Sequence, residues 1–192
     1  MSGSYGGFRL WTVAEYHRFI EEGILKEIDR VELLEGYVVK KLAHSLPHDA
    51  TVQKLNKRLV RLAPAGWEVR IQSAVTLTDS EPEPDAVLAS GDESAFDTQH
   101  PTASEIGLVL EVSDSSLTID RKDKGRIYSY ANLPIYWIVN VVERQIEVYT
   151  DPRPSDPVPA YATRTDYMPG DSVPLILDGT VIAQIPVSDI LA

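Results

Sequence analysis

The stretch Ile106-Gly-Leu-Val-Leu-Glu-Val112, followed by Ser113, decides the reading of the fold. It is a nearly continuous apolar run, the mark of a strand covered on both faces. With a side-chain period of two, Val109, Glu111 and Ser113 share one face of that strand, and Leu108, Leu110 and Val112 share the other. Downstream, Ile119 to Asn132 has helical periodicity and is ended by Pro134, after which Tyr136–Val142 and Gln145–Tyr149 read as two strands about Glu143-Arg144. A right-handed crossover through the helix makes the first two strands parallel neighbours.

Upstream, Thr12 caps a helix that stops at Gly23, and Glu15 three residues on completes a capping box. Arg30 to Lys40 reads as a hairpin turning at Glu35-Gly36. Pro47 opens a second helix with Val52, Leu55, Leu59, Val60 and Leu62 as its apolar stripe, ended by Pro64 and Gly66. Its other face carries Lys54, Lys57, Arg58 and Arg61, which suits either a solvated face or an approach to a phosphate backbone. Trp67 to Leu77 reads as a strand, Glu81 to Pro84 as a stiff turn and Asp85 to Ala89 as a short strand. Ser90 to Glu105 is a polar loop able to cover a site. From Asp151 the chain is proline-rich, with strands expected near Tyr161–Thr165 and Val181–Ile185. It reads as a peripheral tail of a single domain spanning 1–192, with residues 1–9 as a flexible tip.

The composition, 43% hydrophobic and 24% charged, is that of a globular chain. The absence of cysteine excludes disulfides, thiolate metal sites and a cysteine nucleophile. Neither a secretory signal nor a membrane-length apolar segment is present, so the expected location is the cytoplasm. The net charge of −11 opposes non-specific attraction to phosphates, although a nuclease also gathers carboxylates around cations that invert the local field.

Chemistry concentrates on Glu111. An ionised carboxylate among apolar neighbours is costly unless a metal or a basic group meets it, so Glu111 is read either as a functional ligand or as one half of a structural ion pair. Asp85, after Pro84 at a strand start, either shapes the turn or joins Glu111 as a second ligand. Two carboxylates on adjacent strands hold a hard divalent cation, which leaves positions for water and phosphate. Asp120, Lys124 and Tyr128 recur at four-residue spacing along one helix face, so Lys124 either supports that site or pairs with Asp120.

These residues resemble the Uma2 family of restriction-endonuclease-like proteins in the PD-(D/E)XK nuclease superfamily, over residues 10 to 150. The resemblance is carried by Val31 to Gly36, Pro47-His48, Pro84-Asp85, Leu110 to Ser113, Asp120 to Lys124 with Tyr128, and Leu133 to Val139. It implies an α/β fold with a restriction-endonuclease-like mixed central sheet flanked by helices. It also implies Asp85 and Glu111 as ligands of Mg2+ or Mn2+ and Lys124 as the catalytic lysine, displaced from the strand to the helix. In the superfamily motif the lysine stands two residues after the glutamate, a position held here by Ser113. Glu32 and His48 are accessory candidates, with an exposed hairpin carboxylate and a helix-end packing residue as the other readings, and Asp120 completes the set. Ile135 and Asn140 depart from the family pattern outside it.

The expected activity is metal-dependent hydrolysis of DNA, with a homodimer as the assembly suited to cutting two strands. The alternative is a catalytically idle binding or assembly module on the same fold, motivated by the acidic charge and by Ser113. Glycosidic acid and base chemistry by the carboxylate pair is a third option, for which no neighbouring aromatic platform is evident.

Overall fold

The computed structural model describes residues 9–92 and 94–191. The expected N-terminal tip therefore lies, apart from Arg9, outside the described residues. Helix α1 (Val13–Glu21) begins as its capping box dictates: the Thr12 hydroxyl accepts from the Glu15 N–H at 3.2 Å, and Glu15 accepts from the Thr12 N–H at 3.0 Å. The hairpin β1 (Val31–Leu34) and β2 (Tyr37–Lys40) turns at Glu35 and Gly36, both at positive φ. Gly36 is required there, since a Cβ would lie 2.7 Å from that of Leu10. Helix α2 (Leu46–Leu62) starts one residue before Pro47, with Ser45 as its cap accepting from the His48 N–H.

The main sheet has the order β3-β4-β5-β6-β7-β8, formed by β3 (Trp67–Ile71), β4 (Ala86–Ser90), β5 (Ile106–Ser113), β6 (Ile135–Asn140), β7 (Gln145–Arg153) and β8 (Ala160–Tyr167). It is mixed: β5 and β6 are parallel, and the other neighbouring pairs are antiparallel. The crossover helix between β5 and β6 comprises α3 (Leu117–Ile119), a π-helical segment (Asp120–Lys124) and α4 (Gly125–Tyr130). The sequence predicts this parallel pair; the π segment is not visible in its periodicity.

Leu108, Leu110 and Val112 face a core completed by Val52, Leu55 and Leu59 of α2. Val109 faces the opposite core with Val87, Ile138, Ile127 and Tyr128, beneath α4. Glu111 belongs to this second face by alternation.

Two expectations are corrected. β3 ends at Ile71 rather than Leu77, because Gln72 takes a φ of 47° and its N–H bonds to the Asp85 carbonyl. Val75 and Leu77 then donate to Pro82 and Ser80 instead of joining a ladder with β4. Nor is the segment after Asp151 peripheral. β8 extends the main sheet, and the hairpin β9 (Ser172–Leu177) and β10 (Thr180–Pro186) buries Val173, Leu175, Leu177 and Ile185 against the first core. Its alternating apolar residues, diluted by prolines, supply the second cover for that face alongside α2.

Candidate active site

Ala86 of β4 pairs with Leu110 of β5, so the next residue outward on each strand is Asp85 and Glu111. The antiparallel register thus places the two carboxylates opposite one another on one face. Both are almost fully buried, at 7% and 4% exposure. With Lys124, Glu32, His48 and Asp120 they line one cleft of about 340 Å³. The Ser90–Glu105 loop, expected to be able to cover a site, contributes none of its described residues to this lining.

Glu111 Oε1 accepts from Lys124 Nζ at 2.8 Å and from the Tyr128 hydroxyl at 2.6 Å, while Oε2 has no donor among the described residues. Burial pushes the Glu111 carboxyl up to about 8 against the pull of Lys124, and the charges of Asp120 and Asp85 reinforce the rise. Burial alone would lower the Lys124 ammonium, but Glu111, Glu32 and Asp120 outweigh it and hold its pKa above the ordinary value. The lysine therefore keeps its proton, and Glu111 is the group whose charge depends on what else enters the cleft.

Lys124 also lies 3.7 Å from Glu32 Oε2, which accepts from the Glu83 N–H at 3.1 Å. Glu32 is thus a buried carboxylate of the hairpin and not an exposed one. Asp120 accepts from Ser113 Oγ at 2.5 Å and Ser116 Oγ at 2.6 Å, so Ser113 anchors the helix start, and Lys124 directs its ammonium to the strand. Burial raises the Asp120 carboxyl, with Lys124 and the two serines pulling the other way.

Asp85 Oδ2 accepts from the Val112 N–H at 2.8 Å and lies 3.1 Å from His48 Nε2, while Oδ1 accepts from Gln72 Nε2 at 3.3 Å. Burial pushes this carboxyl up, but the hydrogen bond and charge of His48, the Val112 N–H and the Lys124 charge win and hold it below its ordinary value. For His48, burial disfavours the imidazolium, yet Asp85 and Asp49 outweigh it and raise the pKa. The cleft therefore gathers four buried carboxylates, Glu32, Asp85, Glu111 and Asp120, with one buried ammonium, Lys124, and one buried imidazole, His48. That surplus of hard oxygen donors, with Oε2 of Glu111 uncommitted, fits a divalent cation between Asp85 and Glu111.

Three features escape the sequence reading. His44 stacks on His48 with ring centroids 4.2 Å apart, and Gln72 reaches Asp85 from its left-handed turn. Glu147 on β7 is the third: Ile138 of β6 is the register partner of both Glu111 and Glu147, so the two acids lie in one row across the sheet. Glu147 is fully buried and accepts from Arg121 Nε at 3.0 Å, Asn140 Nδ2 at 2.9 Å and the Tyr149 hydroxyl at 2.7 Å. Burial opposes its charge, but Arg121 and these donors lower its pKa to about 2. The π segment is thereby pinned to this row at two points, Arg121 on Glu147 and Lys124 on Glu111. Asp120, Lys124 and Tyr128, spaced four residues apart, all address the end of β5. The only sequence signal for His44 is its place four residues before His48, and an intervening Pro47 hides it.

The mixed sheet, with its crossover helix delivering a lysine to a buried strand glutamate, defines a restriction-endonuclease-like α/β domain. The profile of the Uma2 family, described as "Putative restriction endonuclease", matches residues 13–182, and the chain belongs to that family. Among solved structures it is similar to "a putative nuclease belonging to DUF820 from Anabaena variabilis ATCC 29413". The TM-score is 0.65 and the identity 14%, over 93% of this chain and 96% of that one. No curated protein matches the chain significantly. No helix among the described residues is long and apolar enough to cross a membrane.

Proposed function

We propose that this chain is a divalent-metal-dependent endonuclease that hydrolyses DNA phosphodiester bonds, with Asp85 and Glu111 holding Mg2+ or Mn2+ and Lys124 assisting. The observation that carries this reading is the opposition of the two buried carboxylates at the end of β4 and β5, with the Lys124 ammonium 2.8 Å from Glu111. A cation bound there supplies a Lewis acid for a phosphate oxygen and lowers the pKa of water. Lys124, still protonated, orients the attacking water and offsets charge developing on the phosphate. Glu32 and Glu111 hold that ammonium in place from two strands, Tyr128 fixes the Glu111 rotamer, and His48 orients Asp85.

The acidic surface requires that phosphates be drawn in by the cation and not by the protein's own field. Two of the basic side chains lining the cleft are themselves paired, Lys41 with Glu83 and Arg126 with Glu35. Hydrolysis of both strands of a duplex calls for two sites, which a symmetric homodimer in the cytoplasm would bring. The objection raised by Ser113 is met by Lys124, and the net charge of −11 is what still favours a catalytically idle module.

The test is incubation of the purified chain with supercoiled plasmid, single-stranded DNA and RNA in Mg2+, Mn2+ or EDTA. Metal-dependent cleavage of DNA that disappears in Asp85→Asn and Glu111→Gln is expected. Cleavage that persists in either variant or in EDTA overturns the site; no cleavage together with no divalent-cation binding by calorimetry supports the idle module, and tight metal binding abolished by the two substitutions counts against it.

A further inference from the structure

We infer that the protein has a second cation position, formed by His44, His48 and Asp85, which takes a zinc-class divalent transition-metal ion. One ligand atom from each residue lies within 4.8 Å of the other two. His48 Nε2 and Asp85 Oδ2 are 3.1 Å apart. Two ligands at ordinary zinc–nitrogen and zinc–oxygen distances stand about 3.4 Å apart in tetrahedral geometry and about 3 Å apart in octahedral geometry, so this hydrogen-bonded pair stands at a separation that a shared cation also permits.

Supporting contacts are in place. Asp49 Oδ1 lies 3.3 Å from Nδ1 of His48, so this carboxylate orients the His48 ring from the side away from Asp85, and it lies 3.6 Å from Nδ1 of His44. A carboxylate behind a metal-ligating imidazole is the usual outer partner that fixes ring and tautomer. Gln72 Nε2 completes the frame, 3.3 Å from Asp85 Oδ1 and 3.4 Å from His44 Nδ1. Buried His48 and Asp85 provide rigidity, whereas exposed His44 leaves an open side for water or a substrate oxygen. His44, His48 and Asp85 all line the first cleft beside Glu111, and His44 and Asp85 also line a second one, shared with Tyr16, Gln72 and Glu83, to which Glu111 does not contribute.

The ligand set selects the ion. Two imidazoles and one carboxylate favour zinc, cobalt and their neighbours over magnesium, whereas the carboxylates of the first position favour magnesium or manganese. Three protein ligands with an open fourth place is the arrangement of a reactive zinc site and not of a closed structural one. The second position shares Asp85 with the nuclease reading, and a titration of binding alone separates the two.

The experiment uses the full chain stripped with EDTA and titrated with Zn2+ by calorimetry, and with Co2+ by visible absorption. Circular dichroism checks that each variant is folded. Expected is one Zn2+ site whose affinity falls in His44→Ala and His48→Gln by at least the roughly 10- to 100-fold that loss of a mere outer partner causes. Glu111→Gln is expected to leave Zn2+ affinity within about twofold while Mn2+ binding is lost. Zn2+ binding unchanged in folded His44→Ala, or lost in Glu111→Gln, overturns the assignment, as does no Zn2+ binding by the wild type. Failure of the nuclease reading shows instead as absent cleavage with intact Zn2+ binding.

Discussion

Replacing Glu111 by Gln tests the electrostatic logic of the cleft more sharply than a loss of activity would, because it removes one titrating group and little volume. In the folded chain the Glu111 carboxyl is raised to about 8 from an ordinary 4.5. A raised carboxyl means that the folded state binds more protons than the unfolded state between those two values, so stability falls as pH rises through the window. The slope is at most about 1.4 kcal/mol per pH unit. Between pH 5.5 and 8.5 the wild type should lose about 3 kcal/mol relative to Glu111→Gln. His48, also raised, tilts both proteins the same way and cancels in the difference. The assay is urea unfolding in EDTA at several pH values for the two proteins, with the m-value held as a control. Saturating Mn2+ should flatten the wild-type profile, since at 100 times Kd a ligand of the folded state adds about 2.7 kcal/mol. A difference between the two proteins that does not vary from pH 5.5 to 8.5 would refute the reasoning. It would mean that Lys124 and Tyr128 already hold Glu111 ionised and that no cation is needed to do so.

Three further outcomes are expected. Glu147, lowered to about 2, contributes stability that is present above pH 4.5 and is lost as pH falls from there towards 2. Glu147→Gln should therefore cost about 2–3 kcal/mol at pH 7 and lack that acid-side loss in pH-dependent unfolding. Lys124→Met keeps the stem and removes the ammonium, and should reduce metal-dependent DNA cleavage by about 100-fold or more at saturating Mn2+; activity within threefold of wild type would remove the lysine from the site. Gly36→Ala adds a Cβ at a φ of 78° and 2.7 Å from Leu10 Cβ, and should cost about 2 kcal/mol in urea unfolding without changing the metal affinity of the cleft.

The central unit was legible because its elements carry strong and distinct periods: a doubly apolar strand, an amphipathic helix and another apolar strand admit one handed connection. The capping box at Thr12 and the Glu35-Gly36 turn were legible for a similar reason, since each is set by local backbone chemistry. The sequence reads as strand past Ile71 because nothing in Gln72-Ser-Ala-Val75 signals a left-handed residue; the turn there is held by the Asp85 carbonyl, a contact made across the sheet. The segment after Asp151 reads as peripheral because proline and exposed positions dilute its pattern. Its apolar residues gain their place only from the face of the main sheet they cover, which local sequence does not contain.

For the site, burial in an apolar strand singled out Glu111, and the spacing of Asp120, Lys124 and Tyr128 singled out the helix face that answers it. What the spacing could not decide was whether Lys124 pairs within its helix or across to the strand. Two side chains off that face favour the second arrangement: Ser113 takes Asp120, leaving Lys124 without its intrahelical partner, and Arg121 holds the π segment against Glu147 so that Lys124 reaches Glu111. Ser113 therefore has a part in the lysine's displacement from the strand. Placing the ammonium on a helix frees the strand position after Val112 for a small residue, and that small residue secures the helix start that presents the ammonium.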